Sequence, residues 1–280
     1  MTISQKKKSI GTLCTVLFSL LSLVYVSPIF IVFMNSLKGQ FYISSAPFAL
    51  PDQSTFVGFQ NYLNGIRKIS FFSAFGRSLF ITVASVCVIV LMTSMTAWYI
   101  TRVRSRWTRF LYYAFVFSMI VPFQMLMFTM SKVANTLNLE NPVGIIVIYL
   151  GFGAGLSVFL FAGFIKDIPL ALEEAAEIDG CTPWDVFFRI IFPVLRPTAI
   201  TVAVLNSMWI WNDYLLPYLV IGSRYPTIPV AVQYLQGGYG SRDMGALMAM
   251  LILAIIPIII FYALAQRHII RGVIAGAVKG

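Results

Sequence analysis

Six of the ten acidic residues in this chain fall in one short stretch, between Lys166 and Pro197. They are Asp167, Glu173, Glu174, Glu177, Asp179 and Asp185, and with Lys166, Arg189 and Arg196 they give the stretch a formal −3 in a chain of net charge +10. Clustered carboxylates can hold a metal or perform acid–base catalysis, but either use needs converging partners. The one histidine, His268, has no such cluster, and Cys14, Cys87 and Cys181 show neither ligand nor disulfide spacing. The sequence therefore offers no catalytic residue and no metal site. The remaining chemistry is recognition: an acidic segment that offers charge to a basic surface.

Local grammar predicts two short helices in this stretch. Pro169 suits an opening helical position, Leu170–Asp179 is rich in Leu, Ala and Glu, and Gly180 is placed to end the helix. Thr182-Pro183 then reads as an N-cap and first helical residue, with Asp185 at the capping-box position. On the first helix Leu172, Ala175, Ala176 and Asp179 share a stripe, and Glu173, Glu174 and Glu177 lie near it. An interfacial amphipathic helix is one reading of this pattern. An acidic face suits an anionic inner leaflet poorly, so a docking helix for a protein partner is the favoured one.

The surroundings of this stretch are apolar. Hydrophobic residues make up 59% of the 280 positions and charged residues 11%, with a mean hydropathy of +0.86. A soluble domain carries about 25% charged residues, so soluble enzymes, secreted modules and disordered regulators are excluded. Six runs reach the ~20 residues a spanning helix needs: Gly11–Met34, Leu79–Thr101, Phe110–Met130, Pro142–Ile165, Thr198–Val220 and Gly245–Ala265. The first follows Lys6, Lys7 and Lys8 but exceeds a signal h-region, and it reads as an uncleaved signal anchor. Thirteen of the twenty basic residues fall on the inner side when both termini are cytoplasmic, the Arg102–Arg109 turn being the clearest marker. Because the cations lie at bilayer edges, nucleic acid is not an expected partner. Residues 1–280 form a single transmembrane domain, with an extracytoplasmic segment at 35–78, a cytoplasmic loop at 166–197 and a tail at 266–280.

At the inner loop a resemblance becomes specific. Glu174-Ala175-Ala176, Gly180, Ile190 and Pro193 resemble the EAA signature of ABC importer permeases, with Phe192 in place of the usual Leu. Ile168-Pro169, Ile178-Asp179-Gly180, Asn35-Ser36-Leu37-Lys38, the run Trp211 to Pro217 and the closing Gly276 to Gly280 are similar to the carbohydrate-uptake branch, in its MalG type of subunit. Arg77-Ser78 departs from the Asn-Ser common there. The resemblance covers essentially the whole chain. It implies an all-α polytopic membrane protein of the type I ABC importer permease fold, with six transmembrane helices and both termini cytoplasmic. The expected place is a bacterial or archaeal cytoplasmic membrane.

The same resemblance implies the partners: a second permease subunit, two cytoplasmic ATPase subunits and an extracytoplasmic solute-binding protein. ATP and Mg would be bound by the ATPase, since this chain lacks G-x-x-x-x-G-K-[ST]; no cofactor is expected on the chain itself. The coupling residues would be Glu174, Ala175, Ala176 and Gly180, flanked by Glu173 and Asp179. The cargo would be a sugar, an oligosaccharide first, with glycerol phosphate or another polyol still open. A secondary transporter or channel is the competing class, but the span interiors hold few ionisable groups.

For the translocation path, Asp213 is the charged residue within a proposed span, and such residues are expensive and functional by default. Asn206, Trp209 and Asp213 fall near one helical face, Asn212 and Tyr214 flank Asp213, and Gln124 follows Pro122 in the third span. Aromatic rings here can stack on sugar rings while amides meet hydroxyls. The alternative is structural: an interfacial aromatic belt, with Asp213 capping a helix broken at Pro217.

Overall fold

The computed structural model describes residues 3–236 and 242–277. Val278, Lys279 and Gly280, part of the closing resemblance, lie outside the described residues, as do the side chains of Lys6, Lys7, Lys8 and His268. Helices account for nearly all regular structure, and among the described residues a lone bridge, Lys38 to Phe56, stands in for any sheet. Two compact units arise, one from 1–71 with 231–257 and one from 72–230 with 258–280.

In the first unit α1 (Ile3–Ser36) is long and apolar, and its Gly11–Ser36 span buries none of its most apolar window within the chain. Leu13, Phe18, Leu23 and Val24 along it are all exposed, as expected of a helix whose solvent is lipid. The 35–78 segment then folds through two short helices, α2 (Gln40–Ser45) and α3 (Gln60–Lys68). Asn61 ties it together by donating from Nδ2 to the carbonyls of Ser36 and Lys38, both at 2.8 Å. Lys38 is fully buried, with its Nζ donating to the Ala46 carbonyl at 2.9 Å. At the turn before α3, Asp52 Oδ1 accepts from the backbone N–H groups of Ser54 and Thr55 and from both hydroxyls. Those bonds, led by the Ser54 and Thr55 side chains, lower its carboxyl to about 2. Lys68 pairs with Asp243, whose Oδ1 accepts from the Ala246 N–H at 2.9 Å and so caps the last helix, α12 (Met244–Ala277).

The second unit is built around α7 (Gly144–Ile165), whose start is capped by Asn141 Oδ1 accepting from the N–H groups of Val143 and Gly144. It packs on α4 (Phe71–Arg102), α5 (Arg106–Ser118) and α10 (Arg196–Asn212). Glycine permits this: a Cβ on Gly155 would lie 2.7 Å from the Phe115 carbonyl oxygen on α5, and one on Gly153 would lie 2.8 Å from Asn206 Oδ1 on α10. Small residues at such crossings let helix backbones close on one another where lipid gives no hydrophobic drive.

Among the described residues four helices are long and apolar enough to cross a membrane: Gly11–Ser36, Phe71–Arg102, Gly144–Ile165 and Met244–Gln266. The other two expected spans are corrected in detail. Phe110–Met130 is not one helix but α5 and α6 (Phe123–Thr136), bent by 108° at a break that ends in Pro122. Proline disfavours helical backbone in the residue before it, so the helix stops short of it. Thr198–Val220 is likewise interrupted: α10 ends at Asn212, and α11 (Leu215–Val220) starts after Asp213 and Tyr214. At its other end α10 meets α9 (Pro183–Val194) at 75°. Six spans result when each bent pair counts as one. The chain is an all-α, polytopic membrane protein.

Candidate functional site

The 166–197 loop carries α8 (Ala171–Ile178) and α9. Pro169 stands two residues before α8, its carbonyl accepting from the Leu172 N–H at 3.3 Å. Gly180 ends the helix with φ +82, a left-handed value that suits glycine. The Cys181 N–H donates to the Ala176 carbonyl and the Gly180 N–H to the Glu177 carbonyl, both at 3.0 Å, which is the paired closure of a Schellman cap. Thr182 then opens α9 with a reciprocal capping box. Its hydroxyl accepts from the Asp185 N–H at 3.3 Å, and Asp185 Oδ2 accepts in return from the Thr182 N–H at 3.2 Å and from the Thr182 hydroxyl at 2.5 Å. These bonds, the Thr182 side chain first, hold the Asp185 carboxyl below its usual range. Arg189 lies 3.2 Å away, one turn on.

Glu173 departs from expectation. Read from sequence beside Glu174 and Glu177 as a charge for a basic acceptor, it is instead turned into the chain and only 5% exposed. Its Oε1 accepts from Arg102 Nε at 2.7 Å and its Oε2 from the Trp98 indole N–H at 2.9 Å. Arg102 also donates from Nη2 to the Ile168 carbonyl at 2.9 Å. The reason is burial: a carboxylate taken from water must find charge-assisted donors, and the end of α4 supplies two. Ala176, one turn on, is buried on the same side. The expected stripe is thus split, because Leu172, Ala175 and Asp179 remain exposed.

The outward face of the loop combines Glu174, Ala175, Glu177 and Asp179 with uncovered apolar residues. Ile178 is 87% exposed and Trp184 63%, and Trp184 stacks on Phe188 with ring centroids 6.1 Å apart. Acids beside bare apolar side chains on a doubly capped support offer both charge and apolar contact at one surface. Sequence reading missed Trp98 and Arg102 as the anchors. They sit 75 and 71 residues from Glu173, and nothing local marks the pairing.

The path residues separate into different roles. Asn206 is buried between α10 and α7, donating to Ser157 Oγ at 3.2 Å and to the Val202 carbonyl at 2.9 Å. Asp213 lies at the break between α10 and α11. Its Oδ1 accepts from the N–H groups of Leu215 and Leu216, at 3.0 and 3.3 Å, and caps α11. Its Oδ2 accepts from the Tyr149 hydroxyl at 3.2 Å, and Tyr149 packs edge-on against Trp209. The helix is therefore interrupted at Asp213-Tyr214 rather than at Pro217, which occupies the first turn of α11, where no N–H is needed. Asn212 is exposed and bonds the Met208 carbonyl within its own helix, and Tyr214 stacks on Tyr218. Gln124 is exposed in the first turn of α6. Among the described residues no group of His, Cys, Asp and Glu could hold a metal ion.

The family described as binding-protein-dependent transport system inner membrane component matches residues 89–275. The chain is 40% identical, over 95% of its length and 96% of the relative's, to a probable starch degradation products transport system permease protein of Thermoanaerobacterium thermosulfurigenes, AmyC. It is 34% identical, over 94% and 95%, to the multiple sugar-binding transport system permease protein MsmG of Streptococcus mutans. Among solved structures, a chain of a bacterial ABC transporter that imports the acidic polysaccharide alginate superposes with a TM-score of 0.77, at 21% identity, over 95% of this chain and 99% of that one. That last likeness is one of fold.

Proposed function

The chain belongs to the family of binding-protein-dependent transport system inner membrane components, and from that premise we propose that it is one permease subunit of an ATP-driven sugar importer. The cargo is an oligosaccharide, a reading supported by the starch degradation products and multiple sugars in the names of the two relatives. A second permease completes the pathway, an extracytoplasmic binding protein delivers the sugar, and two ATPase subunits dock from the cytoplasm. ATP and Mg are held by those ATPases.

Coupling runs through α8. Its outward face, with Glu174, Ala175, Glu177 and Asp179 beside Ile178, meets a groove of the ATPase that supplies basic and apolar contacts. When ATP draws the ATPases together, the helix moves as a body, because the Gly180 closure stiffens its far end. The Glu173 carboxylate passes that displacement to Arg102 and Trp98 at the end of α4, a long membrane-crossing helix. Two packed arrangements of these helices then give outward and inward access.

The observation that carries this reading is the division of α8 into an anchored inner face and a bare outer one. In purified complexes Glu174→Lys should abolish sugar uptake and release ATP hydrolysis from control by the loaded binding protein, with the permease still inserted. Normal uptake by both Glu174→Lys and Gly180→Pro would refute it.

A further inference from the structure

Beside α8, but not part of its docking face, a cleft of about 710 Å³ opens between the α4–α5 turn and the end of α7. Its walls include Arg102, Arg104, Arg106, Arg109 and Lys166. Arg102 is committed to Glu173 and Ile168. Among the described residues, Arg104, Arg106, Arg109 and Lys166 have no carboxylate partner, and Lys166 rests over the Tyr112 ring at 5.4 Å. Four uncompensated cations around one concavity repel each other, so the cleft gains by admitting an anion.

The surroundings identify the anion. The cleft lies at the ends of the apolar helices α4 and α7 and the start of the bent pair α5–α6, at the level of a bilayer's headgroups. Trp107, 76% exposed, with Phe110 and Tyr113 also exposed, lies on the same short segment. Such residues flank acyl chains where a polar head sits just beyond them. Ser105 and Thr108 are occupied with capping α5, so the arginines are left as the principal donors.

We propose that this cleft is a binding site for the phosphate headgroup of an anionic phospholipid from the inner leaflet. Arginine forks grip the phosphate oxygens and Lys166 closes the opposite wall. Because Arg102 lines the cleft and also holds Glu173, an occupied headgroup acts on the same guanidinium that anchors α8. The lipid thereby adjusts the coupling helix without touching it. This site would exist whatever cargo the importer carries.

The test places the assembled complex in phosphatidylethanolamine nanodiscs doped with photoactivatable phosphatidylglycerol and maps the labelled peptides. Labelling is expected on peptides covering 102–113 and 162–166. Arg104→Gln, Arg106→Gln and Arg109→Gln together should lower it ~10-fold, and the corresponding lysine variants should keep most of it. Lys166→Gln leaves every arginine of the turn, and with it the orientation signal, and should lower labelling ~3-fold. A photoactivatable phosphatidylcholine should label all variants alike. Equal phosphatidylglycerol labelling of wild type and the glutamine variants would overturn the site. So would loss of labelling in millimolar inorganic phosphate, which would make it a soluble-phosphate site. Absence of labelling in the intact complex would likewise overturn it, assigning the cleft to a protein partner.

Discussion

Arg102 and Glu173 lie 71 residues apart and meet at 2.7 Å, the guanidinium at the end of a long membrane helix and the carboxylate in the first turn of a short loop helix. Both side chains are mostly withdrawn from solvent, at 18% and 6% exposure. Removing one partner of such a pair leaves a buried charge and costs about 3–5 kcal/mol. Glu173→Ala and Arg102→Ala should each lower the thermal stability of the purified complex by an amount in that range. A paired Arg102→Met, Glu173→Met variant should lose less than either single change. If α8 acts through this contact, the double variant should regain stability and still fail to couple hydrolysis to uptake.

Gly180 sets a second expectation. A Cβ at this position would meet nothing within 4 Å, so the cost of substitution lies in the left-handed backbone alone. Gly180→Ala should destabilise the loop by about 1 kcal/mol and Gly180→Asn by less, since Asn tolerates this conformation. Hydrogen exchange of the Cys181 and Gly180 amides would report it.

Asp213 should behave as a cap. Asp213→Asn keeps an acceptor for the Leu215 and Leu216 amides and should transport nearly as wild type, whereas Asp213→Ala loses about 1 kcal/mol and transports less well. Tyr149→Phe removes the hydroxyl that donates to Asp213 and should cost about 1 kcal/mol. A large loss of uptake in Asp213→Asn, at unchanged stability, would instead make the charge itself functional.

The α7 glycines separate by what lies over them. Gly155→Ala would force a Cβ to within 2.6–2.8 Å of Ser118, Phe115 and Met119, and should destabilise by about 1–3 kcal/mol. Gly151→Ala and Gly163→Ala meet nothing within 4 Å and should be neutral or slightly stabilising. Detergent-solubilised melting temperatures of the three variants would rank them.

In the 35–78 segment the Asp52 carboxylate, held down to about 2 by its turn, gives a pH prediction. A lowered folded value means the charged form is preferred in the folded turn. Its contribution is fully present above the unfolded value near 3.8 and is lost as pH falls from there towards 2. Carboxyl NMR should find the Asp52 midpoint near 2, rising towards the ordinary range in Ser54→Ala with Thr55→Val. The stability cost of Asp52→Asn should be constant above pH ~5 and shrink below pH ~4.

Most of the architecture is legible because lipid makes apolar length a direct signal. The spans near Gly11, Leu79, Pro142 and Gly245 all appear as helices, three of them extended beyond the apolar run and the third, Gly144–Ile165, starting two residues later than expected. The two misread spans share one cause: mean hydropathy ignores backbone direction, so it passes over Pro122 and the Asp213-Tyr214 interruption. In the loop, Gly180 and the Thr182–Asp185 box are readable because capping is a local matter of a few residues. The fate of Glu173 is not, since its partners lie on another helix and three neighbouring acids look equivalent in sequence. Tyr149 is hidden from sequence for the same reason, as an unremarkable tyrosine in an apolar run that turns out to hold Asp213.

The bareness of α1 bears on biosynthesis. Among the described residues nothing covers its most apolar window, so the segment gains no burial from the helices that follow it. It must partition into the bilayer on its own hydrophobicity, without waiting for α4. A nascent fragment truncated just past Ser36 should therefore insert as fully as the complete chain, whereas α5–α6, bent and partly polar, should wait for α7.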